Sequence, residues 1–471
     1  MKSIAWSFAL FTGCLCCFQG EVCAQNTRAT VTFARMKAKL DGVPAIDTHD
    51  HLRPFADLPG YRDTQQGRGM NLAGIWRDSY YIWTNPLTIW EPGMSFDDWW
   101  KLAKHDFKNA RATSFYRYQL PAFRDLYGVD FNTITDEQAR QLDRQIFENY
   151  RDPKWLYKVI TERANIELMF NDPYWNRFGH TPTYPFEVFL FNVTTLVRGF
   201  HPSEYSAPSN SPYAFAETHG LPVNSLDDYL ALLERMFLDM KDKEAVCLKT
   251  TLAYVRTLRF ENVSHRRATR AFGKRASALS PEEIKDFEDF IMWRLCELSA
   301  KYELPFQIHT GQARIQGSNP MLLVDMIAAN RKTKFILFHG GFPWVGETGV
   351  IVQKYPRNVW VDSCWLPMLS YSLAKRAYHE WLDMFPSDRI MWGADCKHAE
   401  GIYGATEFTR RCLAEVLAEK IDRGDLAEEH AERIGRQILR ENALELFPQL
   451  KERLWKHKYD ELLPETAELG K

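Results

Sequence analysis

Short apolar segments alternate with amphipathic helical segments through most of this chain of 471 residues. The predicted strands are 43–46, 165–170, 185–191, 245–248, 305–308, 335–338, 359–361 and 390–392. Strands that alternate with helices form a parallel sheet, and eight such units close into a barrel. We therefore predict the α/β class, a TIM-like (β/α)8 barrel over residues 43–446. An open doubly wound sheet is the alternative, but it lacks support because no glycine-rich phosphate loop is found.

The segment between the first two strands, residues 55–165, has a different character. It is crowded with aromatic residues, among them Trp76, Tyr80, Tyr81, Trp83, Trp90, Trp99 and Trp100. Helix-starting patterns at Ser95 and Thr135 indicate α-helices. We predict a helical insertion after strand 1. Its aromatic residues could cover the site as a lid, or they could pack on the flank of the barrel.

The two ends of the chain lie outside the predicted barrel. Residues 1–24 resemble a secretory signal, with Lys2, a short apolar stretch and small residues before Gln25. We therefore expect a secreted or periplasmic protein, with a lipoprotein acylated at Cys14 as the alternative. Residues 25–42 are interpreted as an N-terminal arm and residues 447–471 as a charged C-terminal tail.

Composition excludes several classes of partner. The formal net charge is -2, from 59 basic and 61 acidic residues, which does not suggest a nucleic-acid surface. No stretch after the leader is long and apolar enough to span a membrane. Four of the 9 cysteines fall in the leader. The remaining five are scattered, without metal-type spacing, and are predicted to be buried small side chains.

Two histidines follow the first strand, and they are the first sign of a chemical site. His49 and His51 are two residues apart, so on a strand they point to the same side and could bind one metal ion. Other polar residues recur where later strands end, namely Lys249, His309, His339 and Asp395. The carboxyl ends of barrel strands carry the chemistry of this architecture.

Imidazole and carboxylate ligands suit Zn²⁺ or a similar divalent ion. Such an ion makes hydroxide available near pH 7, and a nearby carboxylate can accept or relay a proton. This set of groups serves hydrolysis, decarboxylation or an enol-type isomerisation. Arg53, directly after the histidines, could bind an anionic group of a small-molecule substrate, or it could be an ordinary surface arginine.

Four segments give the chain a family resemblance. They are QIHTG at 307–311, LFHGGFPW at 337–344, VWVD at 359–362 and WGAD at 392–395. With the first-strand histidines, they resemble the amidohydrolase superfamily, in particular the amidohydrolase-2 branch. Residues 305–417 are most similar to the amidohydrolase-like domain of FluG-type proteins, and uronate isomerases are more distant relatives. The insertion is similar to that of uronate isomerases only in length and aromatic content.

The resemblance implies a role for each strand-end residue. His49, His51, His309 and Asp395 would bind the metal, and Asp395 would also shuttle a proton. His339 would bind a second metal ion in a binuclear site, or act as an acid/base or polarising group in a mononuclear one. Lys249 would be either a carboxylated lysine that bridges two ions or an unmodified substrate-binding lysine. Arg256 and Arg314 would hold a substrate carboxylate, or else form structural salt bridges. His398, three residues after Asp395, could also reach the site.

We therefore expect a metal-dependent hydrolase that cleaves an amide, ester or lactone bond of a small carboxylate-bearing substrate. A decarboxylase or a uronate-type isomerase on the same scaffold is the alternative. A secreted binding protein whose catalysis has decayed would lack an expected ligand, and none is missing from the sequence. A homo-oligomer is compatible with these features.

Overall fold

The computed structural model of the chain describes residues 26–454, so the predicted signal and most of the predicted tail lie outside the described residues. In chain order its strands are β1 (Ala45–Asp50), β2 (Tyr61–Thr64), β3 (Gly67–Met70), β4 (Ile166–Asn171), β5 (Glu187–Asn192), β6 (Cys247–Thr250), β7 (Phe306–His309), β8 (Phe335–Phe338), β9 (Val359–Asp362) and β10 (Ile390–Met391). Eight of them form one parallel sheet in the order β1-β4-β5-β6-β7-β8-β9-β10. All eight predicted barrel strands are therefore present.

Backbone hydrogen bonds between β1 and the segment after β10 bring the two ends of the sheet together. The Thr48 amide donates to the Trp392 carbonyl at 3.2 Å, and the Asp395 amide donates to the His49 carbonyl at 2.7 Å. The His51 amide donates to the Cys396 carbonyl at 2.8 Å. The (β/α)8 barrel predicted from the sequence is confirmed, and its first and last strands meet at the two histidines.

Helices surround the sheet and fill the insertion. They are α1 (Val31–Asp41), α2 (Leu72–Asp78), α3 (Phe96–Asp106), α4 (Ser114–Arg117), α5 (Leu120–Tyr127), α6 (Asp136–Asn149), α7 (Lys154–Tyr157), α8 (Pro212–Thr218), α9 (Leu226–Asp242), α10 (His265–Ala268), α11 (Pro281–Lys301), α12 (Val324–Ala329), α13 (Val345–Lys354), α14 (Leu366–Leu369), α15 (Tyr371–Met384), α16 (Ala399–Asp422), α17 (Glu428–Arg436) and α18 (Asn442–Leu446). Two π-helical segments, Lys158–Arg163 and Gln437–Glu441, extend α7 and α17. None of the described helices is long and apolar enough to cross a membrane.

The insertion contains α2 to α7 and also the antiparallel hairpin of β2 and β3, which the sequence did not indicate. Most of its aromatic residues form a core of their own. Trp76, for example, is buried among Tyr81, Phe107 and Tyr116. Aromatic side chains of this size stabilise mainly through buried area. These aromatics therefore pack against one another inside the insertion.

The predicted N-terminal arm is helical over α1. Thr30 caps this helix by accepting a hydrogen bond from the Phe33 amide at 3.1 Å. The buried side chains Met36 and Leu40 face the barrel side, where α1 packs against α16. Arg28 pairs with Glu415, which adds a charged contact to this packing.

The five cysteines of the described chain are all free and buried, as predicted. They are Cys247, Cys296, Cys364, Cys396 and Cys412. Burial raises the pKa of each of these thiols, so they remain protonated and behave as small apolar groups.

Candidate metal centre and active site

His49 and His51 reach the mouth of the barrel from the end of β1. Their rings contact edge to face, with centroids 4.8 Å apart. The His51 Nδ1 lies 3.1 Å from the Asp172 carbonyl oxygen. A carbonyl can only accept, so Nδ1 carries the proton and Nε2 keeps its lone pair. That lone pair faces the Asp395 Oδ1 at 3.2 Å, an arrangement that a shared cation would satisfy.

Asp395 follows β10 and is almost fully buried. Burial alone would raise the pKa of its carboxyl, but His51, His49 and His339 outweigh this effect and hold the pKa well below its usual range. Its backbone is left-handed, with φ of 57°, and His339 is similar with φ of 61°. Such positions cost roughly 1 kcal/mol or more in non-glycine residues and are typical of functional sites.

These three residues fit a divalent ion. One ligand atom each from His49, His51 and Asp395 lies within 4.8 Å of the others. The donor set is two nitrogens and one oxygen, which suits Zn²⁺. The buried Nδ1 of His49 has no hydrogen-bond partner among the described residues.

A second set of possible metal ligands also includes Asp395. Ligand atoms of His339, Cys364 and Asp395 also lie within 4.8 Å of one another. The His339 Nδ1, however, is 3.0 Å from the Cys364 carbonyl oxygen and must donate to it. The imidazole therefore offers no free lone pair on that side, and the first group is the better metal site.

His309 lies behind His339. Its Nδ1 is 2.8 Å from the His339 Nε2, and its own Nε2 is 2.8 Å from the Gln312 carbonyl oxygen. Burial lowers the pKa of both imidazoles, that of His339 to about 3. The structure thus brings together three of the four expected metal ligands. The fourth, His309, lies outside this group. Its Nε2 must donate to the Gln312 carbonyl, so its Nδ1 holds a lone pair that faces the lone pair of the His339 Nε2.

Lys249 is fully buried at the end of β6 and faces the same centre. Its Nζ lies 3.3 Å from the His49 Nε2 and 4.0 Å from the centroid of the Phe338 ring. No carboxylate pairs with it among residues 26–454. Burial and the nearby lysine charge lower the pKa of His49 well below its ordinary value. Lys249 is therefore within reach of the ligands, as both interpretations of it require.

The three arginines considered for substrate binding lie in different environments. Arg256 is buried and paired with Glu288 at 2.8 Å and with Asp289 at 2.5 Å. Arg314 is exposed and donates to the Val255 carbonyl at 2.8 Å. These contacts give Arg256 and Arg314 structural roles in this conformation.

Arg53 is the arginine that remains available beside the site. Its guanidinium lies over the Trp175 ring at 5.0 Å and the Tyr174 ring at 5.8 Å. Tyr174 in turn contacts the His51 ring, with centroids 5.1 Å apart. No carboxylate pairs with Arg53 in the part of the chain that the structure describes, so it can bind an anion.

Tyr80 is a functional candidate that the sequence analysis did not single out. Its hydroxyl donates to the Asp395 Oδ1 at 2.7 Å. Burial and the Asp395 carboxylate raise the pKa of this phenol well above its ordinary value. The signal in the sequence was the aromatic run 76–83, but nothing in that run tells which ring enters the barrel.

Buried carboxyl groups below the site hold the strand ends in place. The Asp47 Oδ1 accepts from the amides of His49 at 3.1 Å and Ala394 at 2.9 Å. The Asp362 Oδ2 accepts from the Thr48 hydroxyl at 2.6 Å. These bonds hold the backbone of the candidate ligands in position, as supporting hydrogen bonds around metal sites commonly do.

His398 has a structural role at a helix end. It caps α16 by accepting a hydrogen bond from the Gly401 amide, and it lies beside Glu400.

Comparisons with known proteins agree with this geometry. Residues 230–449 match the family model described as Amidohydrolase. The protein fluG of Emericella nidulans is 27% identical over 220 residues, which is 44% of this chain and 25% of that protein. The chain thus spans about a quarter of the length of this curated relative.

Two solved structures share the fold over most of the chain. A uronate isomerase from Thermotoga maritima is 14% identical with a TM-score of 0.68, over 88% of this chain and 97% of its own. A glucuronate isomerase from Caulobacter crescentus is also 14% identical with a TM-score of 0.68, over 93% and 97%. The resemblance to the amidohydrolase superfamily that the sequence predicted is thus confirmed for residues 230–449, and the two solved structures share the barrel fold.

Proposed function

We propose that this protein is a metal-dependent hydrolase that acts on an amide, ester or lactone bond of a small anionic substrate. The observation that carries the proposal is the convergence of His49, His51 and Asp395 within 4.8 Å at the carboxyl ends of β1 and β10. We propose zinc as the ion, because two imidazoles and a carboxylate are ligands that zinc favours. When bound, such an ion acts as a Lewis acid and lowers the pKa of water toward neutrality.

The chain's own residues supply proton transfer. Asp395 is ionised, since its pKa lies well below the usual range, and it can accept the proton of the attacking water. The Tyr80 hydroxyl donates to its Oδ1 at 2.7 Å and holds the carboxylate in one orientation. The leaving group can then receive the proton from Asp395, as general acid–base catalysis requires.

The charges around the mouth favour an anionic substrate. Arg53, Lys249 and Lys397 have no carboxylate partner in the described residues, and Lys397 lies 5.5 Å from the centroid of the Tyr80 ring. Unpaired cations at the mouth of a cleft attract and orient anions. We propose that Arg53 binds the substrate carboxylate, because it stands beside His51 on an aromatic support.

An isomerase is the second candidate, and the Asp395 carboxylate is compatible with it. An ionised, buried carboxylate can move a proton between neighbouring atoms of one substrate as well as from water to a leaving group. The two similar structures are described as a uronate and a glucuronate isomerase. A decarboxylase on the same scaffold would use the same ligands, and product analysis separates it from both.

The test is a substrate screen of the zinc-loaded protein, read out by product chemistry. Candidate lactones, esters and N-acyl compounds that bear a carboxylate are assayed for cleavage, uronates for aldose–ketose conversion, and aryl carboxylates for carbon dioxide release. Hydrolysis that is abolished in Asp395→Asn, with KM raised about tenfold in Arg53→Gln, is the expected result. Isomerisation or carbon dioxide release without any hydrolysis would overturn the first proposal.

A further inference from the structure

Three apolar side chains beside the mouth of the barrel are unusually exposed. Trp83 is 44% exposed, Tyr254 39% and Val255 48%. The rings of Trp83 and Tyr254 contact each other with centroids 6.5 Å apart and planes at 73°. They form an open corner, and we refer to Trp83, Tyr254 and Val255 as the outer corner.

The outer corner is continuous with the metal centre. The Tyr254 ring lies 4.5 Å from the His309 ring. The Trp83 ring lies 5.1 Å from Trp365, whose ring contacts His339 at 5.3 Å. The Trp83 ring also lies 5.5 Å from the Tyr80 ring, and the Tyr80 hydroxyl donates to Asp395. One side chain therefore separates the outer corner from a proposed metal ligand.

Tyr254 links the two regions directly. Its ring contacts the ring of His309 at 4.5 Å, and the residue is nevertheless 39% exposed. Tyr254 therefore adjoins both a histidine of the inner site and the solvent.

The chemistry of the outer corner favours an aryl ring over a sugar ring. Val255 is aliphatic, and on the neighbouring loop Ile315 is 47% exposed. Arg314, the residue before Ile315, ties that loop to the Val255 carbonyl at 2.8 Å. Sugar hydroxyls placed against such carbon atoms would lose hydrogen bonds to water. An aryl ring has no such loss and packs well at an angle to other aromatic rings.

The size of the outer corner argues for a small molecule as well. Three side chains are far fewer than the 20–30 residues that each partner contributes to a stable protein interface, which buries roughly 800 Å² per partner. Small-molecule sites, in contrast, are mostly apolar with a few polar groups. The outer corner and the metal ligands together have this composition.

We propose that the outer corner binds an aryl ring carried by the substrate, outside the group that enters the metal centre. This inference rests on the proposed function, because it assumes that the reacting group of the substrate reaches the metal ligands. It adds to that function a substrate class, namely compounds in which an aryl ring is joined by a linker to the reacting group.

The test uses the zinc-loaded protein and matched pairs of hydroxamic acids. One member of each pair ends in phenyl and the other lacks it, with linkers of one to three methylene groups. The hydroxamate chelates zinc, so it reports on the metal centre, whereas the phenyl group reports on the outer corner. Isothermal titration calorimetry gives the affinity of each, and metal analysis confirms that every variant is loaded.

We expect the phenyl member to bind roughly three- to tenfold more tightly at the best linker length. Trp83→Ala and Tyr254→Ala should remove this preference, whereas Tyr254→Phe should keep it because the ring remains. Val350→Ala is the matched control, since Val350 lies on α13 and is 49% exposed. It should leave the preference unchanged.

The two possible failures are distinguishable. Equal affinity within every pair in the wild-type protein would overturn the proposal that the outer corner binds an aryl ring, and so would a preference that persists in both alanine variants. Neither result would affect the proposed metal centre. A zinc-loaded wild-type protein that binds neither member of any pair would overturn the metal centre as the substrate site, and this inference would fall with it.

Discussion

Individual side chains at this site are oriented mainly by backbone carbonyls. The Asp172 carbonyl selects the tautomer of His51, and the Cys364 carbonyl does so for His339. The contact with Asp172 leaves the lone pair of the His51 Nε2 facing Asp395. The contact with Cys364 places a proton on the His339 Nδ1, so this nitrogen has no lone pair to offer. Sequence spacing predicted which histidines sit at strand ends. It could not predict which nitrogen of each is free, because the deciding carbonyls belong to other loops.

The metal content of single variants tests the ligand set. His49→Ala should lose the bound ion, because it removes one of three ligands, whereas His309→Ala should retain it, because His309 is not among the residues whose ligand atoms lie within 4.8 Å of one another. Elemental analysis after dialysis gives the stoichiometry. Loss of the ion in His309→Ala would show that four ligands are used, as the family resemblance implied.

Tyr80→Phe tests the hydrogen bond to Asp395. The substitution removes one donor to a charged acceptor and little volume, so we expect kcat/KM to fall roughly 10- to 100-fold while the metal remains bound. Tyr81→Phe is the matched control, because the Tyr81 hydroxyl donates to the Asp106 carbonyl at 2.9 Å, inside the insertion. Equal kinetics in Tyr80→Phe and wild type would remove Tyr80 from the mechanism.

At the scale of elements, hydrogen bonds attach the insertion to the first turn of α16, the helix that follows β10. Glu400, in the first turn of α16, accepts hydrogen bonds from the hydroxyls of Tyr127 and Tyr150, each at 2.6 Å, and from the Trp155 indole at 3.1 Å. All three donors belong to the insertion. The same insertion carries Tyr80 to Asp395. The sequence predicted that an insertion exists, but its contacts span more than 200 residues and depend on how it packs.

Glu400→Ala should destabilise the protein strongly. It leaves one buried donor, the Tyr150 hydroxyl, and two partly buried donors without this acceptor, and we expect the free energy of unfolding to fall by about 3–5 kcal/mol. Burial raises the pKa of Glu400, but His398, Tyr127 and Tyr150 outweigh burial and lower it from the usual 4.5. The stabilisation is therefore present above pH 4.5 and is lost as the pH falls through the lowered pKa.

Urea unfolding at pH 7 and at more acidic pH measures this effect. The difference between Glu400→Ala and wild type should shrink in acid, where Glu400 is protonated in both states of the wild type. Glu428→Ala, which removes an exposed ion pair with Arg35, is the control and should unfold like the wild type. A deficit of the same size at both pH values would contradict the charge-based explanation.

At the scale of the whole molecule, closure of the barrel makes its first and last strands neighbours and so brings distant parts of the chain to one site. Closure places β10 next to β1, so that the Asp395 amide bonds to the His49 carbonyl at 2.7 Å. His49 and His51, at the end of β1, thereby share a single candidate centre with Asp395, which follows β10. No local pattern in either segment contains this information.

The predicted leader also belongs to this scale, and it remains a prediction. Expression of the whole chain in a host with a secretory pathway should give a mature protein outside the cytoplasm that begins at Gln25, the first residue after the small-residue pattern. N-terminal sequencing of the exported fraction measures this. An unprocessed N-terminus on a chain that stays inside the cell would contradict it.

The sequence by itself determined the barrel, the order of its strands and the polar residues at their ends, because alternating strands and helices allow few topologies and place those ends on one face. Tertiary structure alone decided which of these residues converge. The His309 Nδ1 faces the His339 Nε2, Arg256 pairs with two buried carboxylates, and Tyr80 reaches Asp395 from the insertion. The physical reason is that orientation is set by hydrogen bonds and ion pairs to distant segments, which residue spacing does not record.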